Sequence, residues 1–156
     1  MNDLAKLLLS IAVTFGAAYL GAYFTSWNVE GWYQSALVKP EWTPSGRTIG
    51  AVWTTLFSLM SISMWLVLRG KNLGDTLKPA SVFLIQLLFN VMWSFIFFGL
   101  KEPGWALLDL LVLLVAIGVT IRVFYPISKV ASVLLLPYFL WVMFAGILNF
   151  QIWKLN

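Results

Sequence analysis

The charged residues of this 156-residue chain are spaced so that they separate five long stretches with almost no charge. The stretches are 7–29, 48–68, 79–100, 103–121 and 130–153, and only the fourth contains a charged residue, Asp109. A helix needs about 20 apolar residues to cross the hydrocarbon core of a bilayer. The spacing therefore predicts five membrane-spanning helices.

These five spans occupy nearly the whole chain, which predicts an all-α integral membrane protein with one transmembrane domain over residues 1–156. The predicted helices are 5–26, 48–68, 79–100, 103–123 and 128–152, with a long loop at 27–47. Hydrophobic residues make up 61% of the chain and charged residues only 10%, whereas a soluble domain has about a quarter charged residues. The first apolar run is too long for a typical signal peptide, so we expect a span there.

The basic residues lie at the predicted helix ends and not in one patch. Six of them fall on the N-terminal side of the membrane and four on the other side, which favours a cytoplasmic N-terminus by the positive-inside rule. The net charge of +4 is too scattered to indicate binding to a nucleic acid. Lipid is the partner that this distribution predicts.

Histidine and cysteine are both absent from the sequence. No ordinary zinc, haem or iron–sulfur ligand set can be built without them, and we expect no metal site. Ser-His-Asp and Cys-His catalytic arrangements are excluded for the same reason. A ligand would have to be held by ring stacking, apolar contact and a few amide hydrogen bonds, which suits a large, flat, hydrophobic molecule.

The loop at 27–47 is rich in tryptophan and proline and has a possible short amphipathic turn at 29–36. Long ordered loops are often lids or binding elements, so we expect a lid-like loop between helices 1 and 2. The alternative is an aromatic anchor that lies on the lipid headgroups. We call the membrane face with this loop the loop side.

Nine tryptophans occur in the chain, and most of them fall near the predicted interfaces, where an aromatic belt accounts for them. Three lie deeper. Counted at 1.5 Å per residue from the loop side, Trp53 is about 9 Å deep, Trp93 about 12 Å and Trp141 about 20 Å. Ala145 and Asn90 fall at similar depths, about 13 and 16 Å. Several helices therefore bring unusual residues to one half of the bilayer, which predicts a pocket under the loop.

The polar residues at these depths have two interpretations. Gln86, Asn90 and Asn149 can face a cavity and bind a ligand, or they can link helices by hydrogen bonds. Asp109 can be a proton relay, but with no second acid or buried lysine nearby we favour a structural role with a hydrogen bond from a neighbouring element. Arg47, at the start of helix 2, can bind a ligand carboxylate or reach toward headgroups.

Five sequence segments together resemble the tryptophan-rich sensory protein (TspO) and translocator protein family. They are KPEWTP at 39–44, GAVWTTLFSLM at 50–60, FNVMWSFIFFGLK at 89–101, GWALLD at 104–109 and PYFLWVMFAGILNFQIW at 137–153. Ser45 replaces a second proline that the family often has, and Phe150 replaces the tyrosine of the mammalian sterol-binding motif, so sterol binding is not inferred.

The resemblance implies a homodimeric five-helix protein of a bacterial cell membrane that binds protoporphyrin IX or related tetrapyrroles and synthetic benzodiazepine-type ligands. The porphyrin would be a ligand or substrate and not a cofactor. The implied binding residues are Trp32, Pro40, Trp42, Trp53, Phe57, Asn90, Trp93, Trp141 and Ala145. Trp53 and Trp141 match positions linked to light- and oxygen-dependent porphyrin breakdown, without a conventional catalytic group. Transport of a lipophile and signalling without turnover are the alternatives.

Overall fold

The protein is described by a computed structural model that covers residues 2–156, apart from the side chain of Leu73. Its helices are α1 (Asp3–Ser26), α2 (Gly46–Leu68), α3 (Leu73–Ser94), α4 (Pro103–Phe124), α5 (Lys129–Leu134) and α6 (Leu136–Leu155). Two π-helical turns follow α1 and α3, at Val29–Tyr33 and Phe95–Gly99. The described residues form no strand. The prediction of an all-helical protein with five spans is confirmed, because five helical segments are long and apolar enough to cross a membrane.

Three of the six α-helices begin after a residue whose side chain accepts a hydrogen bond from a free backbone N–H of the first turn. The Asn2 side chain accepts a hydrogen bond from the Ala5 N–H, and Ser45 and Ser128 cap α2 and α5 in the same way. Pro103 lies in the first turn of α4, where its missing N–H has no intrahelical partner to lose. These residues help to set where α1, α2, α4 and α5 begin.

The start of α3 differs from the prediction. The helix begins at Leu73, six residues before Pro79, so Pro79 lies inside α3 and not in its first turn. A proline at that position removes one hydrogen bond to the carbonyl four residues earlier, that of Asp75. Asp75 is exposed, so water can take the place of the missing donor. The helix therefore extends beyond its apolar stretch.

The fifth span is interrupted two residues before Pro137. The regular helix stops at Leu135 between α5 and α6, and Pro137 lies in the first turn of α6. The Leu135 N–H turns to the carbonyl of Ser132, and its own carbonyl accepts from the Phe139 N–H. The proline thus starts a new helix, and α5 and α6 together form one span.

The order of the helices around the bundle is not their order in the chain. Helix α1 packs against α2 and α3, α3 packs against α4, α4 against α6, and α2 against α5. The ring therefore runs α1, α2, α5–α6, α4, α3, and the consecutive helices α2 and α3 have little contact. The largest cluster of buried residues, which includes Met60, Val67, Leu113, Ile117 and Phe124, fills the half of the bundle opposite the loop side.

Small residues let α1 approach its neighbours within the chain. A Cβ atom at Gly21 would lie 3.3 Å from the Ser94 Oγ on α3, so the backbones of the two helices are close there. Ala18 and Ala22 line the cavity described below. The close neighbour of Gly21 is therefore a helix of the same chain.

Replacing Gly21 with leucine is expected to destabilise the fold, because the larger side chain must push α1 away from α3. Overpacking of this kind costs about 1–3 kcal/mol, which lowers the Tm by several degrees in a protein of this size. Gly16→Leu is the matched control, since a Cβ at Gly16 meets nothing within 4 Å and both changes raise helix propensity alike. Thermal unfolding in detergent measures both. An equal Tm for the two variants would contradict the close α1–α3 contact.

Candidate functional site

A cavity of about 700 Å³ lies in the loop-side half of the bundle, between α1, α2, α3 and α6. Its volume falls within the ~300–1,000 Å³ range of sites that enclose small-molecule ligands. Beneath it, toward the opposite side, the packed core begins with Leu56, Met60, Leu87 and Tyr138. The cavity is therefore a pocket with a floor, in the half of the bilayer where the sequence places the deep tryptophans.

Six of the nine binding residues expected from the sequence line this cavity. They are Trp53, Phe57, Asn90, Trp93, Trp141 and Ala145. Trp53 and Phe57 lie on α2, Asn90 and Trp93 on α3, and Trp141 and Ala145 on α6. Each of these helices turns the face with these side chains toward the centre of the bundle. Three separate helices thus bring these residues together.

Aromatic rings form much of the cavity wall, and each deep indole is supported by a neighbouring ring. The Trp53 ring centroid is 5.5 Å from that of Phe57, and the Trp93 ring stacks on Phe97 at 5.1 Å. Trp141 lies 5.2 Å from Phe144. Such pairs add about 0.5–1.5 kcal/mol beyond the area they bury, and they hold the indoles in fixed orientations.

The three expected loop residues, Trp32, Pro40 and Trp42, do not line the cavity. Trp32 makes an edge-on contact with Phe97 at 5.5 Å and lines a separate surface depression beside the start of α4. Trp42 is half-exposed and contacts Phe144 at 5.8 Å. The two tryptophans therefore lie behind rings of the cavity wall.

The loop instead contributes Val29 and Tyr33 to the cavity lining, which the sequence analysis did not select. Both lie in the π-helical turn that follows α1, and the amphipathic pattern at 29–36 was the available signal. The Tyr33 ring packs 5.4 Å from Phe98. Burial raises the pKa of the Tyr33 phenol above its ordinary value of 10.0, so this phenol is neutral at physiological pH.

Two side chains, Asn28 and Asn156, fasten the loop to the bundle, and Lys39 forms hydrogen bonds within the loop. Asn28 donates a hydrogen bond to the Phe98 carbonyl at 2.8 Å. The Asn156 side chain bonds both backbone groups of Val38, accepting from its N–H and donating to its carbonyl, each at 3.0 Å. The Lys39 ammonium donates to the carbonyls of Tyr33 and Leu37. The loop is thereby connected to the end of α3 and to the end of α6.

Two of the deep amides, those of Asn90 and Asn149, connect helices, and both residues also line the cavity. Asn149 accepts a hydrogen bond from the Trp93 indole N–H at 3.0 Å and donates to the Pro103 carbonyl at 2.7 Å. Asn90 donates to the Tyr138 hydroxyl at 2.9 Å. Asn149 thus joins α3, α4 and α6, and Asn90 joins α3 to α6 at the base of the cavity.

Other buried polar atoms have no hydrogen-bond partner in the described part of the chain. They include the Trp141 Nε1 atom, both side-chain amide atoms of Gln86, and the Asp109 Oδ2 atom. The hydrogen bond expected for Asp109 is therefore not found at that oxygen. Buried donors without partners are uncommon in folded proteins, and Trp141 is the one of these residues that lines the cavity. Its N–H is a donor that a ligand could use.

The cavity opens between α1 and α2. The lining residues that are exposed belong to these two helices, and they are Tyr19, Ala22, Ser26, Gly46, Gly50 and Thr54. The lining residues from α3 and α6 are buried or half-buried. An opening between two membrane-spanning helices faces lipid, so an apolar ligand can reach the cavity from the bilayer.

Among the described residues, those that line the cavity include no Asp, Glu, Lys or Arg. The described chain also has no group of three or more His, Cys, Asp or Glu side chains that could hold a metal ion. The chemistry available in the cavity is therefore limited to indole rings, apolar contact and a few amide and hydroxyl groups.

The sequence is similar to those of known proteins. Residues 9–154 match the model of the TspO/MBR family. The chain is 38% identical over 154 residues to the tryptophan-rich protein TspO of Archaeoglobus fulgidus, with 99% of each chain covered. It is 38% identical over 148 residues to the human translocator protein, covering 90% of this chain and 86% of that one. Protein CrtK of Rhodobacter capsulatus is 34% identical over 152 residues, with 96% and 94% covered.

The family match covers all five spans, and the five apolar helices make the chain an integral membrane protein. The segments that carry the resemblance contribute Trp53, Trp93 and Trp141 to one cavity. The chain belongs to the TspO/MBR family.

Proposed function

We propose that the protein is a membrane receptor that binds porphyrins, with protoporphyrin IX as the leading candidate, and synthetic benzodiazepine-type ligands in the cavity. The observation that carries this proposal is an uncharged, aromatic cavity of about 700 Å³ that opens toward lipid. Flat hydrophobic molecules partition into the bilayer and reach such an opening directly. Membership of a family with relatives named translocator protein supports a role in handling small molecules in a membrane.

In this proposal the ring of the ligand lies among the indoles of Trp53, Trp93 and Trp141. Offset or edge-on ring contacts suit these side chains. The Trp93 N–H is already bonded to Asn149, so Trp93 contributes its ring. The unpartnered Trp141 N–H is the donor for a ring nitrogen or a carbonyl of the ligand, and Asn90 is a second polar contact.

A light-dependent reaction is the enzymatic part of the proposal. Porphyrin supplies the light absorption and molecular oxygen is the oxidant, so the protein needs no metal. An indole, of Trp53 or Trp141, would donate an electron to the excited porphyrin, and the porphyrin radical anion would pass that electron to oxygen to give superoxide. The indole radical cation would then take an electron from the porphyrin ring, so that the porphyrin is oxidised overall and oxygen is reduced. The loop, which is fastened by Asn28 and Asn156, would act as the lid over the bound ligand. We also propose that the protein lies in a bacterial cell membrane with its N-terminus in the cytoplasm.

Replacing Trp53 or Trp141 with phenylalanine is expected to slow the light-dependent loss of porphyrin absorbance at least severalfold, because phenylalanine retains a ring but is far harder to oxidise. Trp141→Phe should also weaken dark binding by about three- to tenfold, since one hydrogen bond contributes roughly 0.5–1.5 kcal/mol. Titration of protoporphyrin IX into purified protein, first in darkness and then under illumination in air, measures both quantities.

Trp105→Phe is the control for these variants, because Trp105 is exposed and lies outside the cavity lining. It should bind and degrade porphyrin like the parent protein. If Trp53→Phe and Trp141→Phe also behave like the parent in both measurements, the proposed role of the two indoles is wrong. Saturable dark binding with an unchanged spectrum under light would identify a receptor without turnover.

Two further variants separate ligand binding by Asn90 from its structural bond to Tyr138. Asn90→Leu removes both, whereas Tyr138→Phe removes the structural bond only, because Tyr138 does not line the cavity. We expect Asn90→Leu to weaken porphyrin binding by about three- to tenfold for one lost hydrogen bond, and Tyr138→Phe to change it less than twofold. Equal losses in the two variants would mean that Asn90 acts only by joining helices.

Transport is the competing function, and the packed floor of the cavity argues against an open passage. Val67, Ile117 and Phe124 are fully buried in the half of the bundle opposite the loop side. We therefore expect sealed vesicles that contain the protein to bind porphyrin without moving it across the bilayer faster than protein-free vesicles. Flux that depends on the protein and is blocked by a bound benzodiazepine-type ligand would overturn this expectation.

A further inference from the structure

We propose that Arg47 binds the carboxylate groups of an acidic amphiphilic ligand at the opening between α1 and α2, while the apolar ring of the ligand fills the cavity. This inference rests on the proposed function and adds to it a ligand orientation and a residue that selects acidic ligands. The class of ligand is a flat, hydrophobic ring system with its carboxylates on one edge.

The first observation is the lack of charge inside the cavity. Its lining includes no cationic side chain among the described residues, so a carboxylate placed there would lose its water without gaining an ion pair. Burying an ionised group without a partner is strongly unfavourable. A ligand that is both flat and acidic must therefore bind with its acidic edge outside the cavity.

The second observation is the position of the opening. Exposed lining residues occur on α1 and α2, and Ser26 and Gly46 are the ones nearest to the loop-side ends of these helices. The opening thus extends from the apolar bilayer at Tyr19 and Thr54 up to the membrane–water interface. A ligand bound there can keep its ring in the cavity and its carboxylates at the interface, where they stay hydrated.

The third observation is the helical register of Arg47 on α2. Thr54 lines the opening and is exposed, and Arg47 is seven residues earlier, so the two share nearly the same face of the helix. The separation along the axis is about 10 Å toward the loop side. Arg47 is also next to Gly46, which lines the cavity. Arg47 is therefore on the side of α2 that borders the opening, just outside the lining of the cavity.

Arg47 has no competing partner in the part of the chain that the structure describes. The one ion pair found there joins Lys6 to Asp3, near the other face of the membrane. Lys39, the other basic residue of the loop region, already donates to the carbonyls of Tyr33 and Leu37. Arg47 is exposed, and the positive end of the α2 dipole lies at the same place, which also favours an anion.

A comparison of protoporphyrin IX with its dimethyl ester tests the inference, because the two share the ring and differ in the charge of the acidic edge. Affinities are measured in darkness, in uncharged detergent, for the parent protein and for Arg47→Gln. We expect Arg47→Gln to weaken binding of the diacid by about two- to fivefold, as for an exposed ion pair, and to leave the affinity for the ester unchanged. The loss should shrink at high salt.

Two control variants make the result specific. Lys154→Gln removes the same charge on the same membrane face, from an exposed residue outside the cavity lining, and should change neither affinity. Arg47→Lys keeps the charge and should retain most of the affinity for the diacid.

If the parent binds both compounds and Arg47→Gln weakens neither, or weakens both equally, the role of Arg47 is wrong and the porphyrin site stands. If the parent binds neither compound, the proposed function itself is wrong, and the inference fails with it.

Discussion

The uneven packing of α2 along its length is the feature on which the rest of the structure depends. In the half opposite the loop side, the Ser63 hydroxyl donates to the Ala131 carbonyl of α5 at 2.7 Å, and Met60 and Val67 are fully buried. In the loop-side half, the described part of α2 has no side-chain hydrogen bond to another helix, and Trp53 and Phe57 pack there as rings. Lipid provides no hydrophobic force that would close such a gap. The same helix therefore seals one half of the bundle and opens the other.

The polar side chains at the base and side of the cavity keep the other helices in place. Asn90 connects α3 to α6, and Asn149 connects α6 to the Pro103 carbonyl of α4 while it accepts from Trp93. Helices α3, α4 and α6 thus form a wall that is joined by hydrogen bonds, while α1 and α2 form the wall that opens. A ligand bound between the two walls would contact fixed indoles on one side and more easily displaced helices on the other.

The sequence predicts the features that depend on local patterns. Charge spacing gives the five spans, and depth counting selects Trp53, Trp93 and Trp141, which do meet in one cavity. The sequence alone cannot predict features that depend on contacts between distant residues. Tyr33 reaches the cavity because a π-helical turn redirects the chain after α1, and Trp32 lies behind Phe97 for the same reason. The start of α3 differs from the prediction because Pro79 is tolerated inside a helix whose freed carbonyl belongs to an exposed residue, Asp75.

Under the proposed function, the contrast between the uncharged cavity and Arg47 beside its opening would let one site accept two kinds of ligand. A neutral benzodiazepine-type molecule would need only the rings and the Trp141 N–H, so Arg47 would not take part in its binding. A porphyrin diacid would gain the same ring contacts, and its carboxylates would stay at the interface beside Arg47. Because the opening extends from the bilayer to that interface, the diacid could enter sideways without burying a charge. Arg47 would thus add selectivity for acidic ligands while the cavity itself stays uncharged.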